Sequence, residues 1–458
     1  MVTIRRFDKG YSRRRFLREM ELGVIAGGVL APLWSAFAGE GDISKVYPDE
    51  LLSIEAYTKG RIKPGDVIDK DNVEHVWDLL DPIKRKQIVE MGRRLTVKDS
   101  TRDLDKLMPI PYLEATVRNK GQARFNDKGN VVDAGGDPWI GGNPFPEPKN
   151  ALEAFAAQTL SWGRHDGVVY AFKADALNTS GEVKYRYEGV WAELSPVART
   201  VMEPRPYWPG HKDILRYQSV AFTSPSESAG TAFLNIWPYD QNTFPDLYGY
   251  IPHYGRIRQF PTDQRFEPLV PGSELYLSDA WAAGDPLHTW GNFKVIDRKP
   301  MLGAVAGAWS GDHPNWEREA HGGPNGSTFF HTTVELVPEV LIVEAEPTGF
   351  PRAPVGKKRV WFDIRTGLPI AMNSYDRKGQ LFRMFDGAYG VYENAQQTVM
   401  AGKHPYWSWG HAHGFNLQTG SMTRLEQVKE VAGGHQMVVN EESIYHQYLT
   451  RTALSRIG

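Results

Sequence analysis

The 458-residue chain has no cysteine. This excludes disulfides, thiolate metal sites, a cysteine nucleophile and a lipid-modified N-terminal cysteine. An excess of one charge is also missing. Lys and Arg number 53 and Asp and Glu 55, so no general nucleic-acid surface is expected. There is no internal repeat and no clean linker. No Gly-x-Ser-x-Gly elbow occurs, which argues against a hydrolase triad. Beyond residue 38 no apolar run is long enough to span a bilayer as a helix. What is plentiful is glycine (45), proline (31) and aromatic residues, including 14 Trp. Glycine and proline fall as punctuation, which favours many strands and turns over long helices. The aromatics serve a core, or line an apolar ligand surface.

The N-terminus reads as an address. Ser12-Arg13-Arg14-Arg15-Phe16-Leu17 resembles a twin-arginine export signal, with Arg13 and Arg14 as the pair. A modest apolar stretch follows from Leu22 to Ala38, interrupted by Pro32. Ala36 and Ala38 supply the small residues read at a signal-peptidase site. Residues 1–38 are therefore expected to be removed, leaving a soluble extracytoplasmic protein. The alternative is a basic, membrane-anchored N-terminal helix.

Residues 39–95 read as an N-terminal helical segment, and residues 96–458 as one large sheet domain. Pro48-Asp49-Glu50 opens one helix, and Asp71 or Asn72 caps another that Pro82 restarts. Tyr112 to Arg118 is a candidate strand. Asn150-Ala151-Leu152-Glu153 is a capping box, opening a largely buried helix. Ile214–Phe222 and Thr231–Trp237 form a hairpin, and Leu247–Ile251 pairs with Arg256–Phe260. The strongest signal lies between Val334 and Tyr389. Short runs rich in valine, isoleucine and aromatics alternate there with the turns Arg365-Thr366-Gly367 and Asp376-Arg377-Lys378-Gly379, which predicts an antiparallel meander. Neither face of this meander is simply polar, so the chain or a ligand must cover both.

His411-Ala412-His413, with His404 nearby, is the densest histidine cluster. On a strand His411 and His413 share a face and can hold a metal, but Gly410 and Gly414 suggest a loop. Asp279 and Asp285 flank Trp281 and are either paired carboxylates or a cap and a turn acid. No cofactor and no catalytic residue is predicted.

Several motifs carry a family resemblance. They are Tyr207-Trp208-Pro209-Gly210-His211-Lys212-Asp213, Ser224-Pro225-Ser226-Glu227-Ser228-Ala229-Gly230-Thr231, Asn235-Ile236-Trp237-Pro238-Tyr239-Asp240, Gln264-Arg265-Phe266-Glu267-Pro268 and Ser278-Asp279-Ala280-Trp281. With Pro48-Asp49-Glu50-Leu51-Leu52, Lys63-Pro64-Gly65-Asp66 and the meander, the chain resembles the bacterial family of domain of unknown function 1329, the outer-membrane lipoprotein-sorting proteins. That family is similar in fold to the lipoprotein carriers LolA and LolB. The resemblance implies a mainly β protein, with a strongly curved antiparallel sheet, an unclosed barrel, whose concave face is covered by helices. It also implies a periplasmic carrier for a hydrophobic or lipid-like molecule, partnered by an outer-membrane β-barrel protein and an inner-membrane efflux-type transporter. The strand aromatics Tyr217, Phe222, Phe233, Trp237, Trp281 and Trp361 are the candidate ligand contacts. Arg216, Arg256 and Arg258 are candidates for a charged rim around a head group. The competing readings are a periplasmic metal-dependent enzyme using His404, His411 and His413, and a structural subunit of an envelope complex.

Overall fold

Runs of β-branched and aromatic residues build one large sheet. The computed structural model describes residues 43 and 46–457, except 162, 264, 269, 280–284, 306–312 and 395–396. Arg13, Arg14, Ala36, Ala38 and Trp281 lie outside the described residues. The sheet strands are β1 (Val67–Ile68), β2 (Leu95–Val97), β3 (Gly167–Leu177), β4 (Val183–Leu194), β5 (Ile214–Ser224), β6 (Ala232–Pro238), β7 (Asp246–Ile251) and β8 (Arg256–Phe260). They continue as β9 (Gly291–Val305), β10 (Thr332–Glu346), β11 (Val355–Asp363), β12 (Leu368–Asp376), β13 (Leu381–Val391), β14 (Trp407–Asn416), β15 (Met422–Val428) and β16 (Val438–Val439). Neighbours run β1-β2-β10-β11-β12-β13-β14-β15-β3-β4-β5-β6-β7-β8, with β9 beside β10 and β16 beside β3. Pairing is antiparallel except between β2 and β10 and at one parallel bridge, Val305 to Tyr389, between β9 and β13. That single bridge draws β9 to β13 into a ring, but it does not zip the sheet into a true barrel.

The predicted meander is present in register. Val343 faces Val360, Val360 faces Met372, and Met372 faces Phe385. This row belongs to the main core, built against the helix α5 (Ala151–Ser161). The capping box forms in part there: Glu153 N–H donates to Asn150 Oδ1 at 2.9 Å, while the Glu153 carboxylate accepts the Lys149 N–H at 2.6 Å. Phe155 of α5 meets Phe362 edge-on at 5.4 Å between ring centres. The opposite face of the meander turns into the ring. There Trp361 packs with Met301, Val337, Val340, Ile342, Ile370 and Ala371. Both faces are thus covered by the chain itself, as two partly apolar faces require. Register shifts between Trp361 and Phe362 and between Lys299 and Met301 bend the strands that make this curve.

Parts of the outer faces are covered as well. The helix α3 (Pro82–Met91) lays Ile83 against Phe329, Met384, Phe415 and Met422. The helix α6 (Ser443–Tyr448) and the residues after it place Ile444, Leu449, Leu454 and Ile457 over the outer side of β3–β6. The shorter helices α1 (Asp49–Leu52) and α2 (Ile54–Tyr57) and the helix α4 (Ile110–Asn119) complete the N-terminal part.

Three expectations change. Residues 112–118 are helical, not a strand. Pro111 lies in the first turn of α4, and Tyr112, Leu113, Ala115, Thr116 and Asn119 are buried at helical spacing. The N-terminal segment is not purely helical, because β1 and β2 extend the sheet. Residues 407–416 form a fully buried strand, β14, rather than a loop. Gly414 sits inside it for a steric reason: a Cβ there would lie 2.8 Å from the Glu274 carbonyl oxygen.

Candidate functional site: an aromatic cavity beneath a loop

Alternation along β3–β7 points one set of side chains inward: Phe172 and Ala174, Tyr187 and Trp191, Gln218, Val220 and Phe222, Phe233, Asn235 and Trp237, and Leu247 and Ile251. The described residues of 261–279 fold back over this face. Together they form a partly open cavity of about 350 Å³, lined also by Phe385 and Leu425. Nine lining residues are aromatic, and the volume falls within the range of small-molecule sites. Gly249 belongs to the wall for a local reason. The rings of Phe260 and Phe233 cross it so closely that a Cβ would lie 2.7 and 2.9 Å from them.

The roof is pinned by buried charge. Arg383 donates to both oxygens of Asp279 at 3.1 Å, and its guanidinium lies 3.5 Å from the Tyr276 ring centre. Arg265 pairs with Asp285 and donates to the Leu277 carbonyl at 3.0 Å. Burial alone would lower the Arg383 pKa, but Asp279 more than offsets it and the value rises. The Glu274 N–H donates to Thr423 Oγ1 at 2.7 Å, and the Tyr187 hydroxyl donates to the Pro271 carbonyl at 2.9 Å. The roof is therefore tied to β4, β13 and β15.

A polar seam crosses the wall. Trp237 Nε1 donates to Gln218 Oε1 at 3.1 Å, and Gln218 Nε2 donates to Glu193 Oε1 at 3.1 Å. Trp191 Nε1 donates to the same Glu193 oxygen at 2.8 Å. Arg216 and Arg265 each stand 5.0 Å from the Trp237 ring centre. Burial lowers Arg216 to a pKa of about 10, opposed by Glu193, so it keeps its charge at neutral pH.

The cavity collects Phe222, Phe233 and Trp237 from the candidate contacts. Apart from Trp281, which is outside the described residues, the others lie elsewhere. Tyr217 has the opposite parity to Phe222 and faces outward, with its ring 5.2 Å from Tyr445 and its hydroxyl 3.0 Å from His211 Nδ1. Trp361 fills the ring of strands. Arg216 is buried beneath Trp237 and is not part of a rim. Arg256 and Arg258 are exposed on β8, Arg258 lying 4.4 Å from the Tyr254 ring centre. Residues that the sequence reading did not single out as contacts include Phe172, Trp191, Asn235, Phe260 and Arg265. A signal for Asn235 was present, since it alternates with Phe233 and Trp237. The roof residues meet the wall only through tertiary folding; the motifs around Arg265 and Asp279 mark two of its stretches without showing what they cover.

The histidines do not converge. His404 sits on a short hairpin, paired at Ala401. His411 and His413 share a face of β14, with ring centres 5.5 Å apart. His413 Nδ1 lies 3.0 Å from Asp386 Oδ1, and its Nε2 accepts the Phe330 N–H at 3.1 Å. His411 Nε2 lies 3.1 Å from Thr332 Oγ1. Among the described residues no group of three His, Asp or Glu side chains is placed to hold a metal. Among the same residues no helix is long and apolar enough to cross a membrane.

Known proteins supply the context. No curated protein matches the chain. Among solved structures, a domain from Vibrio parahaemolyticus described as an outer membrane lipoprotein-sorting protein is 18% identical. The match covers 67% of this chain and 98% of that one, with a TM-score of 0.41. A DUF1329 family protein from Desulfovibrio piger is 12% identical over 67% of this chain and 99% of its own, at a TM-score of 0.42. A LolA superfamily protein from Nitrosomonas europaea is 12% identical over 64% and 94%, at 0.33. The sequence model of the protein of unknown function family DUF1329 matches residues 67–455. That span takes in the whole sheet, the cavity and its roof, and the chain belongs to the DUF1329 family.

Proposed function

We propose that the protein binds one hydrophobic molecule in the cavity beneath residues 261–279 and carries it through the periplasm. The observation that supports this reading most directly is the cavity itself: a space of about 350 Å³ with nine aromatic residues in its lining, which the chain's own helices leave unfilled while they cover other parts of the sheet. Burial of apolar ligand surface would drive binding, at about 25 cal/mol per Å². The reading assigns binding and release rather than turnover, because Arg265, Arg383 and Glu193 bond to other groups of the chain. Export by the twin-arginine leader and cleavage near Ala38 would place the mature protein in the periplasm. Its partners on this reading are an outer-membrane β-barrel protein and an inner-membrane efflux-type transporter.

The test uses the neutral fluorophore N-phenyl-1-naphthylamine. Saturable binding with enhanced emission is expected for the wild type. Ala174→Trp, which fills the cavity from β3, should weaken it at least tenfold with the melting temperature nearly unchanged. No saturable binding, or binding indifferent to Ala174→Trp, would refute the cavity as the site. Organic extraction and metal analysis of protein from its own periplasm identify the cargo. Stoichiometric metal without lipid would favour an enzyme instead.

A further inference from the structure

Resting on the binding reading above, we infer that the cavity selects an uncharged ligand bearing one hydrogen-bonding oxygen, recognised by the carboxamide of Asn235. Asn235 stands on β6 between Phe233 and Trp237, and all three line the cavity. It is only 8% exposed. Its neighbour across the sheet, Gln218, uses its amide on Trp237 and Glu193. The Asn235 side chain has no such partner among the described residues. A buried carboxamide offers two donors and one acceptor and is costly to leave unpaired in apolar surroundings. Aimed into a mostly apolar cavity, it is a recognition group awaiting a carbonyl, ester or hydroxyl oxygen.

Charge selection follows from what surrounds it. The cation in the lining, Arg265, is held by Asp285 and the Leu277 carbonyl. The nearby Arg383 is held by Asp279. Of the lining carboxylates, Asp279 is bonded to Arg383, and Glu267 is exposed to water, where an ion pair is worth little. An anionic head group would have to displace a carboxylate from a buried arginine or remain unpaired, and either is unfavourable. Arg256 and Arg258, exposed on β8, are absent from the lining and supply no counter-charge within it. Size restricts the ligand further. At about 350 Å³ the cavity sits at the small end of small-molecule sites, which suits one short chain or one fused-ring skeleton better than a two-chain phospholipid.

The experiment displaces N-phenyl-1-naphthylamine with four molecules on one skeleton: naphthalene, 2-acetylnaphthalene, 2-naphthoate and 2-naphthylmethylammonium. The ketone is expected to half-displace the probe from the wild type at about a tenfold lower concentration than either ion, and several-fold lower than naphthalene. In Asn235→Leu the ketone's advantage over naphthalene should vanish, while naphthalene itself binds as well or better. Asn235→Thr keeps a hydroxyl and should retain part of the preference, which also covers the case in which the leucine variant does not fold. Preference for either ion, or a ketone-to-naphthalene ratio unchanged in Asn235→Leu or Asn235→Thr, overturns the inference and leaves the binding reading standing. If the probe itself fails to bind the wild type saturably, the binding reading falls first, and this inference with it.

Discussion

Arg93 is wholly buried, and it shows how ionic groups hold this sheet to its N-terminal segment. Its guanidinium donates to Asp386 Oδ2 at 2.8 Å and to Gln87 Oε1 at 2.6 Å. Lys84 approaches the same carboxylate oxygen at 3.5 Å, and His413 takes the other. Arg93 and Lys84 hold Asp386 well below the usual carboxylate range despite burial. Removing one member of such a set leaves an uncompensated charge. Arg93→Met is therefore expected to lower unfolding free energy by about 3–5 kcal/mol, read from urea midpoints. A change near zero would show that Lys84 alone compensates. None of this was legible beforehand, because Arg93 and Asp386 are distant in sequence and belong to different elements. At the site the same limit applied. Phe222, Phe233 and Trp237 were found because large aromatics on predicted strands are conspicuous. Tyr217 was grouped with them although its odd number sets it on the opposite face from Phe222.

Among the elements, the glycines inside strands carry the consequence. Gly414 lies opposite Phe385 on one side and Thr423 on the other, and its missing side chain lets the roof descend onto the sheet. A single methyl there would crowd the Glu274 carbonyl, so Gly414→Ala should lift the roof while the strand persists. Expected results are faster proteolysis within 261–279 and faster release of a bound fluorophore, with an unchanged far-ultraviolet spectrum. Proteolysis at the wild-type rate would show that the roof tolerates the added atom. Reading Gly410 and Gly414 as loop markers failed because glycine signals close approach as well as turning. The meander was legible for the opposite reason. Its turns, its β-branched runs and its period all agree, and only the identity of what covers each face needed tertiary information. The segment after Pro109 misled because Tyr, Thr and Val favour strands, whereas tertiary packing on helical spacing won.

At the level of the whole molecule, buried neutral histidines couple stability to pH. Burial lowers His411 well below its ordinary value, His413 to about 4 and His321 to about 3. In the unfolded chain all three take up protons near pH 6.5. Their contribution is therefore intact above that pH and is lost as pH falls from about 6.5 toward 4. Glu426 acts in the other sense. Burial raises it to about 7, so it favours the folded state increasingly as pH falls from about 7 toward 4.5. Burial lowers His165 and raises Glu339 in the same way, so four histidines oppose two carboxyls. Each net proton is worth about 1.4 kcal/mol per pH unit, so stability should drop by roughly 2–3 kcal/mol for each unit below pH 6. Urea titrations at pH 7.5, 6.0 and 5.0 measure this. A flat profile would mean that the histidines are accessible to protons in the folded state.

The seam between β3 and β15 has a temporal meaning. It joins the first long strand of the chain to one of the last, from Ala171 with Val428 to Leu177 with Met422. During synthesis β3 leaves the ribosome long before its partner exists, with that edge open. The half-sheet β3–β8 and the meander can each form early, but they can be stitched together only after residue 428 has emerged. A prematurely terminated product therefore displays a raw edge where the complete chain has none. Quality control that senses unpaired strands could sort full-length from truncated protein at this one joint.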